Sequence, residues 1–259
     1  MLQSPAIEIT ILCENASSDI GCLAEWGFSA YIRFGGTNVL FDTGYSDVYL
    51  HNAKQLNLDL EKSDYIVFSH SHSDHTRGLQ FHNFNSRKKI ICHPEVFEKL
   101  PREESLVLQR AFELSPSKNP IEFAPNMVFL GEIPRKTIFE KGVFEDDKLR
   151  DDSAIALKTE RGVVVISGCS HAGICNICEY AKHVTGLPLY AVIGGFHLFE
   201  NDHEAVEGTL DYFQREKTPH LYPMHCVDFP TLAKFHHLFA IKKYSAGDVI
   251  SLTGGYPPS

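Results

Sequence analysis

The sequence predicts an α/β fold. Short apolar runs rich in β-branched residues alternate with longer helix-like segments, and this alternation occurs in both halves of the chain. The 259 residues are 43% hydrophobic, which is enough to bury one large core. No stretch has the composition of a linker between independently folding parts. We therefore expect a single domain that spans residues 1–259.

The predicted elements follow in order along the chain. In the first half, strands are predicted at 7–12, 29–34, 39–41, 65–68 and 89–92, and helices at about 49–56 and 94–100. In the second half, a hairpin has strands at 154–158 and 162–167, and it is followed by a helix at about 173–184, a strand at 189–193, a helix at 202–217 and a strand at 221–224.

The middle of the chain, at about 102–152, gives no clear pattern. Mixed charges are interrupted by prolines at 116, 120, 125 and 134, and proline removes a backbone donor from any helix or strand. We expect an irregular insertion here, or a cap over the active site.

Composition excludes several functions. The net charge of −9 and the pI near 5.8 argue against binding to nucleic-acid backbones or anionic membranes, so a small-molecule substrate is expected. No apolar run is long enough to cross a bilayer. The first residues show no export signal, so we expect a cytoplasmic protein whose seven cysteines stay reduced. The sequence predicts no oligomeric state.

The strongest chemical signal is a cluster of histidines directly after the apolar run 65–68. His70 and His72 point the same way if the chain is extended there, and two neutral imidazoles can hold one divalent ion. Asp74 and His75, displaced around the turn that follows, can hold a second ion beside the first. This spacing predicts a binuclear metal site.

Three later histidines also follow apolar runs. His171 comes after a glycine turn and leads into the predicted helix 173–184, whose N-terminus is a site that suits an anion. His197 and His225 follow the next two predicted strands. We expect His171 and His225 to bind metal, and His197 either to contact substrate or to have a structural role.

A cysteine pair in the same region has the spacing of a metal or redox site. Cys175 and Cys178 lie inside the predicted helix 173–184, and no second pair stands nearby. We therefore expect these two residues to have structural roles and to bind no metal.

Several strings resemble the metallo-β-lactamase superfamily. They are the His-x-His-x-Asp-His string at 70–75, the Asp-Thr-Gly turn at 42–44, and the segments 27–34, 134–140, 168–174, 193–198 and 222–226. Together they are similar to one branch, named after a dihydropteroate synthase of methanopterin biosynthesis, most members of which are called metal-dependent hydrolases. The resemblance implies an αββα sandwich, in which two mixed sheets pack face to face with helices outside.

The resemblance also implies roles for particular residues. The implied metal ligands are His70, His72, Asp74, His75, His171 and His225. Asp42 would hold a ligand imidazole by a hydrogen bond. The superfamily usually has a further histidine and an aspartate, and Asp152 and Cys169 fall near those positions. Either residue could therefore complete the site, although we expect Cys169 to pack beneath His171.

The leading functional hypothesis is a hydrolase with two divalent ions, zinc first and manganese or iron as alternatives. A metal-bound hydroxide would attack a small, phosphate-containing substrate, and Asp74 would orient it and accept its proton. Arg135 and Lys136 are candidates to bind the phosphate. Two alternatives stay open: a synthase-like transferase that joins a pterin-methyl diphosphate to an aminobenzene ribosyl phosphate, and a non-catalytic metal or ligand sensor.

Overall fold

The structure is a computed structural model that describes residues 7–140 and 148–254. Its backbone contacts divide the chain into two units. The described part of the first unit is residues 7–118 and 245–254, and that of the second is residues 119–140 and 148–244. Each unit has its own sheet. A single domain over residues 1–259 stays a prediction.

The described residues form thirteen strands and seven α-helices. The strands are β1 (Ile7–Cys13), β2 (Ser29–Phe34), β3 (Thr37–Phe41), β4 (Tyr65–Val67), β5 (Lys89–Cys92), β6 (Glu113–Pro116), β7 (Ile121–Ala124), β8 (Met127–Phe129), β9 (Ala154–Thr159), β10 (Gly162–Ser167), β11 (Leu189–Gly195), β12 (His220–Met224) and β13 (Val249–Leu252). The helices are α1 (Val48–Gln55), α2 (Ser73–Thr76), α3 (Pro94–Lys99), α4 (Arg102–Ala111), α5 (Ile174–Thr185), α6 (His203–Glu216) and α7 (Phe229–Phe239).

The first unit is built on a seven-stranded mixed sheet in the order β13-β1-β2-β3-β4-β5-β6. The strands from β13 to β3 pair antiparallel, and those from β3 to β6 pair parallel. Helix α1 contributes Tyr49 and Ala53 to a core that also contains Leu40, Ile66 and Ile90 from the strands. Because β3 and β4 are parallel neighbours, the residues that follow them emerge at the same edge of the sheet.

The second unit is built on a six-stranded mixed sheet in the order β12-β11-β10-β9-β8-β7. Strands β10, β11 and β12 run parallel, and α5 and α6 form the crossovers that parallel neighbours require. These helices bury Ile177 and Phe213 in a core with Phe196 and Phe235. The carboxyl ends of the three parallel strands therefore lie together at one edge.

The middle segment corrects a prediction. The irregular insertion expected at about 102–152 was wrong for residues 102–129, because this range contains α4 and three strands that belong to the two sheets. Residues 130–140 and 148–153 form no helix or strand, and a cap over the active site stays a prediction. Four prolines stand at the ends of these elements, whereas Pro134 lies in irregular chain after β8: Pro101 precedes α4, Pro116 ends β6, Pro120 precedes β7 and Pro125 lies in the turn before β8. Residues 141–147 of the expected insertion lie outside the described residues.

Other predicted elements are confirmed to within two residues at each end, including the hairpin of β9 and β10. Outside the middle segment one strand was missed: β13 pairs antiparallel with β1 at the edge of the first sheet. The predicted α/β class with two mixed sheets is confirmed. Among the helices that the structure describes, none has the length and apolarity to cross a bilayer.

Candidate metal-binding site

The histidine cluster lies where β4 ends in the first unit. His72 is the N-cap residue of α2, a single helical turn that carries Asp74 and His75. His70 and His75 are fully buried. The ring centroid of His70 lies 4.6 Å from that of His72 and 4.3 Å from that of His75. The short helix therefore brings three imidazoles together, as a shared metal site requires.

Asp42 follows β3 and contacts this cluster through a fully buried side chain. Its Oδ2 lies 2.7 Å from Nδ1 of His75. The carboxylate also accepts hydrogen bonds from the backbone N–H of Ser69, at 2.8 Å, and from the Ser69 hydroxyl, at 2.7 Å. The same hydroxyl oxygen lies 2.9 Å from Nδ1 of His70. One carboxylate thus positions two imidazoles, one directly and one through Ser69.

The proton positions in this chain of hydrogen bonds follow from the donors available. An ionised carboxylate only accepts, so His75 donates from Nδ1. The Ser69 hydroxyl donates its one proton to Asp42, so its oxygen accepts a proton from Nδ1 of His70. Both imidazoles then carry their lone pair on Nε2. This is the tautomer in which histidine binds a metal through Nε2.

Asp74 is the carboxylate of the cluster. Its Oδ2 lies 3.6 Å from Nε2 of His75, and its side chain is 18% exposed, whereas that of His75 is fully buried. Its backbone carbonyl accepts a hydrogen bond from the N–H of Phe28 at 3.2 Å. The carboxylate can therefore meet both a metal ligand and solvent, which are the contacts that a water-orienting group needs.

Thr43 supports the same segment through its backbone and hydroxyl. Its N–H donates to the carbonyl of His75 at 2.7 Å, and its hydroxyl lies 3.1 Å from the carbonyl of Thr76. Gly78 approaches so closely that a Cβ there would lie 1.9 Å from the carbonyl oxygen of Thr43. Any side chain at position 78 would separate the ligand segment from the turn at 42–44.

In the second unit, loops at the ends of β10, β11 and β12 carry the later candidates. Each loop has a non-glycine residue in the left-handed backbone region: Ser170 with φ 64°, His197 with φ 49° and His225 with φ 52°. Such conformations cost about 1–2 kcal/mol each and are concentrated at functional sites. The rings of His171 and His197 lie 4.2 Å apart between centroids. The predicted metal ligand and the predicted substrate contact are thus neighbours.

Cys226, which the sequence analysis did not select, links these loops. Its thiol donates to the carbonyl of Cys169 at 3.2 Å, and its sulfur accepts the N–H of His197 at 3.2 Å. Ligand-type atoms of Cys169, His197 and Cys226 lie within 4.8 Å of one another. The signal for Cys226 was its position directly after His225. Cys169 is buried, and its role as a ligand or a packing residue stays open.

Asp152 holds the loop that contains His171. Its Oδ2 accepts the N–H of Ala172 at 2.9 Å. Burial raises the pKa of the Asp152 carboxyl to about 7, although the hydrogen bond from Ala172 acts in the opposite direction. Among the described residues, none donates a hydrogen bond to its buried Oδ1. A bound metal would satisfy that oxygen, so the alternative of Asp152 as a ligand stays open.

The N-terminus of α5 already holds an anion, the side chain of Glu140. One carboxylate oxygen accepts the N–H of Cys175 at 2.7 Å, and the other accepts the N–H of Asn176 at 3.0 Å and the Thr137 hydroxyl at 2.7 Å. This helix end therefore suits an anion, as predicted, and the anion that it holds is the carboxylate of Glu140. The sequence held no signal for it, because Glu140 precedes Cys175 by 35 positions.

The two basic candidates lie near this contact. The Arg135 guanidinium donates to the carbonyl of Leu149 at 2.8 Å. Lys136 has an exposed side chain, while its backbone N–H donates to Oδ1 of Asn176 at 2.7 Å. The segment is thus fixed to α5 by its backbone, and a phosphate-binding role for Arg135 and Lys136 stays a prediction.

A cavity of about 320 Å³ opens beside His171 and His197 in the second unit. Phe196, Phe199, Asn201 and Asp202 are among the other residues that line it. This volume is at the lower end of the range for small-molecule sites, and an aromatic wall with a few polar groups is typical of them.

Comparison with known proteins decides the family. A model described as the metallo-beta-lactamase superfamily matches residues 27–184, which is more than half of the chain. The chain belongs to the metallo-β-lactamase superfamily. Members bind divalent metals, generally one or two. The donor set described above fits such ions, because imidazoles held through Nδ1 and a nearby carboxylate are ligands that zinc and similar metals prefer.

Two curated relatives come from Methanocaldococcus jannaschii. A 7,8-dihydropterin-6-methyl-4-(beta-D-ribofuranosyl)-aminobenzene-5'-phosphate synthase is 31% identical, across 82% of this chain and 83% of the relative. An uncharacterized protein is 29% identical, across 94% of this chain and all of the relative (100%). The resemblance to the branch named after such a synthase is thereby confirmed.

Solved structures confirm the metallo-β-lactamase fold. Tm1679, a metal-dependent hydrolase of the β-lactamase superfamily, has a TM-score of 0.82 and 27% identity, across 95% of this chain and 99% of that one. A diphosphatase of the PhnP family has a TM-score of 0.62 and 16% identity, across 95% of this chain and 97% of that one, and shows the fold alone.

The cysteine pair of this chain lies inside α5, as predicted. Cys175 and Cys178 are both fully buried, and the thiol of Cys175 lies 3.7 Å from the hydroxyl of Thr209 on α6. Burial raises the pKa of both thiols well above the usual value. Both residues therefore pack as small apolar groups in the core of the second unit.

Proposed function

We propose that this protein is a binuclear metal-dependent hydrolase that acts on a small, phosphate-containing molecule. The observation that carries the proposal is the hydrogen-bond chain from Asp42 to His75 and, through Ser69, to His70. A buried carboxylate that fixes two imidazole tautomers is the usual support of a histidine metal site. Superfamily membership makes the same chemistry the leading expectation.

The proposed ligands are those of the sequence prediction. They are His70, His72, Asp74, His75, His171 and His225. Zinc is the first choice, with manganese and iron(II) as alternatives, because imidazole and carboxylate ligands suit all three. When bound, the ions would make a water molecule acidic enough to attack at neutral pH and would polarise the bond to be cleaved.

Side chains of the protein would orient the attacking water, accept its proton and contact the substrate. Asp74, next to His75 and reachable by solvent, would orient the attacking water and accept its proton. His197 lines the cavity beside His171 and would contact the substrate. Arg135 and Lys136 remain the proposed partners of a phosphate group. The volume of the cavity suits a small molecule and not a polymer.

The cellular setting is part of the proposal. All seven cysteines are free and buried, which supports a location in the reducing cytoplasm. The net charge of −9 supports a small-molecule substrate without nucleic-acid or membrane partners.

A synthase function is the second candidate. It is favoured by the 31% identity to a protein named as a synthase of a phosphorylated aminobenzene compound. In that case the same metals would activate one substrate for attack by another. The two functions differ in their need for a second substrate.

The experiment begins with protein stripped of metal by a chelator and reloaded with zinc, manganese or iron(II). Phosphomonoesters, phosphodiesters, lactones and thioesters are then assayed, alone and with an aromatic amine as acceptor. The proposal expects chelator-sensitive hydrolysis of a phosphate ester without an acceptor. A strict need for the acceptor would favour the synthase. Tight metal binding with no turnover of any substrate would overturn both and favour a sensor.

A further inference from the structure

The cavity beside His171 and His197 has an acidic wall. Glu140 and Asp202 both line it, and among the lining residues that the structure describes none is a lysine or an arginine. Because like charges repel, this wall disfavours the phosphate of a substrate and favours a cationic group. The charge of the cavity therefore bears on the part of the substrate that is not the phosphate.

The two acids differ in what their carboxylates already contact. Glu140 is buried, and it accepts hydrogen bonds from two backbone N–H groups of α5 and from the hydroxyl of Thr137. Asp202 is half-buried and is the N-cap residue of α6, where its Oδ1 accepts the N–H of Ala205 at 3.4 Å. Asp202 is therefore the acid that is better placed to contact a ligand.

The loop that carries Asp202 is held by hydrogen bonds. The N–H of Asp202 donates to the carbonyl of Phe199 at 2.8 Å, which closes the turn between them. The carboxylate of Asp228 accepts the N–H of Glu200 at 2.7 Å. The N–H of Asp228 donates to the carbonyl of Leu198 at 3.2 Å. A ligand that contacts this loop therefore loses little affinity to ordering.

An aromatic ring lies in the same cavity. Phe199 is half-buried and lines the cavity together with Asp202. Its ring centroid lies 5.2 Å from that of His197, and the two rings are perpendicular. An aromatic face attracts a cation, and a carboxylate forms charge-assisted hydrogen bonds with an ammonium group. One loop thus supplies both kinds of partner that an ammonium group needs.

We propose that the cavity binds a positively charged nitrogen of the substrate, with Asp202 as its counter-ion and Phe199 as the ring against which it packs. This inference rests on the proposed hydrolase function and narrows its substrates to phosphate esters of amino alcohols. Hydrolysis breaks the bond from phosphorus to the alcohol oxygen, joins the water oxygen to phosphorus and transfers one water proton to the released amino alcohol.

The two ends of such a substrate have separate partners. The phosphate stays with the proposed metal ligands and with Arg135 and Lys136, neither of which is among the lining residues of the cavity. The ammonium group enters the cavity, which His171 lines as well. Because His171 is also a proposed metal ligand, the two ends can lie a few atoms apart, as in a small amino alcohol ester.

The test compares two ligands of the same length that have no ester bond to hydrolyse. 2-Aminoethylphosphonate and propylphosphonate differ by an ammonium group in place of a methyl group. Calorimetry with zinc-loaded protein at low ionic strength measures both affinities. We expect 2-aminoethylphosphonate to bind roughly tenfold tighter. The ammonium group also changes the acidity of the phosphonate, so the deciding value is the change in this preference when the protein is altered.

Asp202→Asn removes the charge and keeps the helix cap, because asparagine and aspartate cap helices about equally well. It should reduce the preference to about twofold or less, with little change for propylphosphonate. Phe199→Leu should reduce the preference about threefold. The matched control is Glu204→Gln, which removes the same charge from an exposed position in the first turn of α6 that is not among the lining residues. The control should keep the preference, and circular dichroism establishes that each variant is folded.

An unchanged preference in Asp202→Asn would overturn the proposal. An equal loss in Glu204→Gln would also overturn it, because the effect would then come from net charge and not from the cavity. A preference that Asp202→Asn removes, without hydrolysis of any ester, would support the ammonium site and contradict the hydrolase. Hydrolysis with equal KM for aminoethyl and propyl phosphate would contradict the ammonium site alone.

Discussion

Oδ2 of Asp42 lies 2.7 Å from Nδ1 of His75, and both side chains are fully buried. This contact joins the end of β3 to the ligand segment after β4, and it fixes which nitrogen of His75 carries the proton. The account of the metal site depends on it, because a histidine presents Nε2 to a metal only when its other nitrogen is held as a donor.

The first prediction concerns this contact. Asp42→Asn should lower metal affinity about 10- to 100-fold, because an amide cannot accept all the hydrogen bonds that Asp42 now accepts. Asparagine tolerates the left-handed backbone at this position, where φ is 51°, so the fold should survive. Competition with a chelating dye measures the affinity. The control is Asp47→Asn, since Asp47 is exposed and its side chain makes no cap hydrogen bond to α1.

A graded comparison follows from the same geometry. Ser69→Ala removes the acceptor for Nδ1 of His70 but leaves the bond between Asp42 and His75. Its loss of metal affinity should therefore be smaller than that of Asp42→Asn. A larger loss in Ser69→Ala would show that His70 depends on Ser69 more than His75 depends on Asp42.

The second prediction concerns stability. Gly78→Ala should lower the free energy of unfolding by about 2 kcal/mol or more, because its Cβ would lie 1.9 Å from the backbone oxygen of Thr43. Gly21→Ala is the control, since its Cβ would lie 3.1 Å from the end of the flexible Gln55 side chain. Urea unfolding measures both. Equal stability of the two variants would show that the close approach at Gly78 relaxes without cost.

The third prediction concerns the loop after β10. His171→Ala should lose bound metal, while Cys169→Ser should keep most of it, because we expect Cys169 to pack and His171 to bind. Metal analysis of the two purified variants measures the difference. The opposite pattern would make this a thiolate site and would also give the cluster of Cys169, His197 and Cys226 a role in binding.

The fourth prediction concerns the buried cysteine pair. Cys175→Ser and Cys178→Ser, alone or together, should leave metal content unchanged. In the native protein both thiols should react slowly with a disulfide reagent at pH 8, because burial raises their pKa well above that pH. Reaction in denaturant provides the reference rate. Loss of one metal in the double variant would show that the pair forms a site.

The sequence predicted what depends on local pattern. The strands before His70, His197 and His225 were clear because apolar runs end directly at these residues, and the helix around Cys175 was clear from its period. Strand β13 was missed because its partner, β1, lies at the other end of the chain. The middle segment was misread because its prolines mark the ends of elements and not their absence.

Parts of the candidate site could not be predicted from the sequence, because they also depend on contacts between distant residues. The position of Ser69 between Asp42 and His70 depends on the register of two parallel strands, and Glu140 reaches α5 across 35 positions. Cys226 could have been selected, since it directly follows a predicted ligand. Residue type and spacing therefore identified ligands, while the groups that hold them required the fold.

The most direct test of the account is the metal content of the purified protein, measured by mass spectrometry after removal of metal and reloading with zinc. The account predicts about two ions per chain in the natural protein and about one fewer in each of His70→Ala and His72→Ala, with activity lost in both. Full metal content and normal turnover in both variants would contradict it.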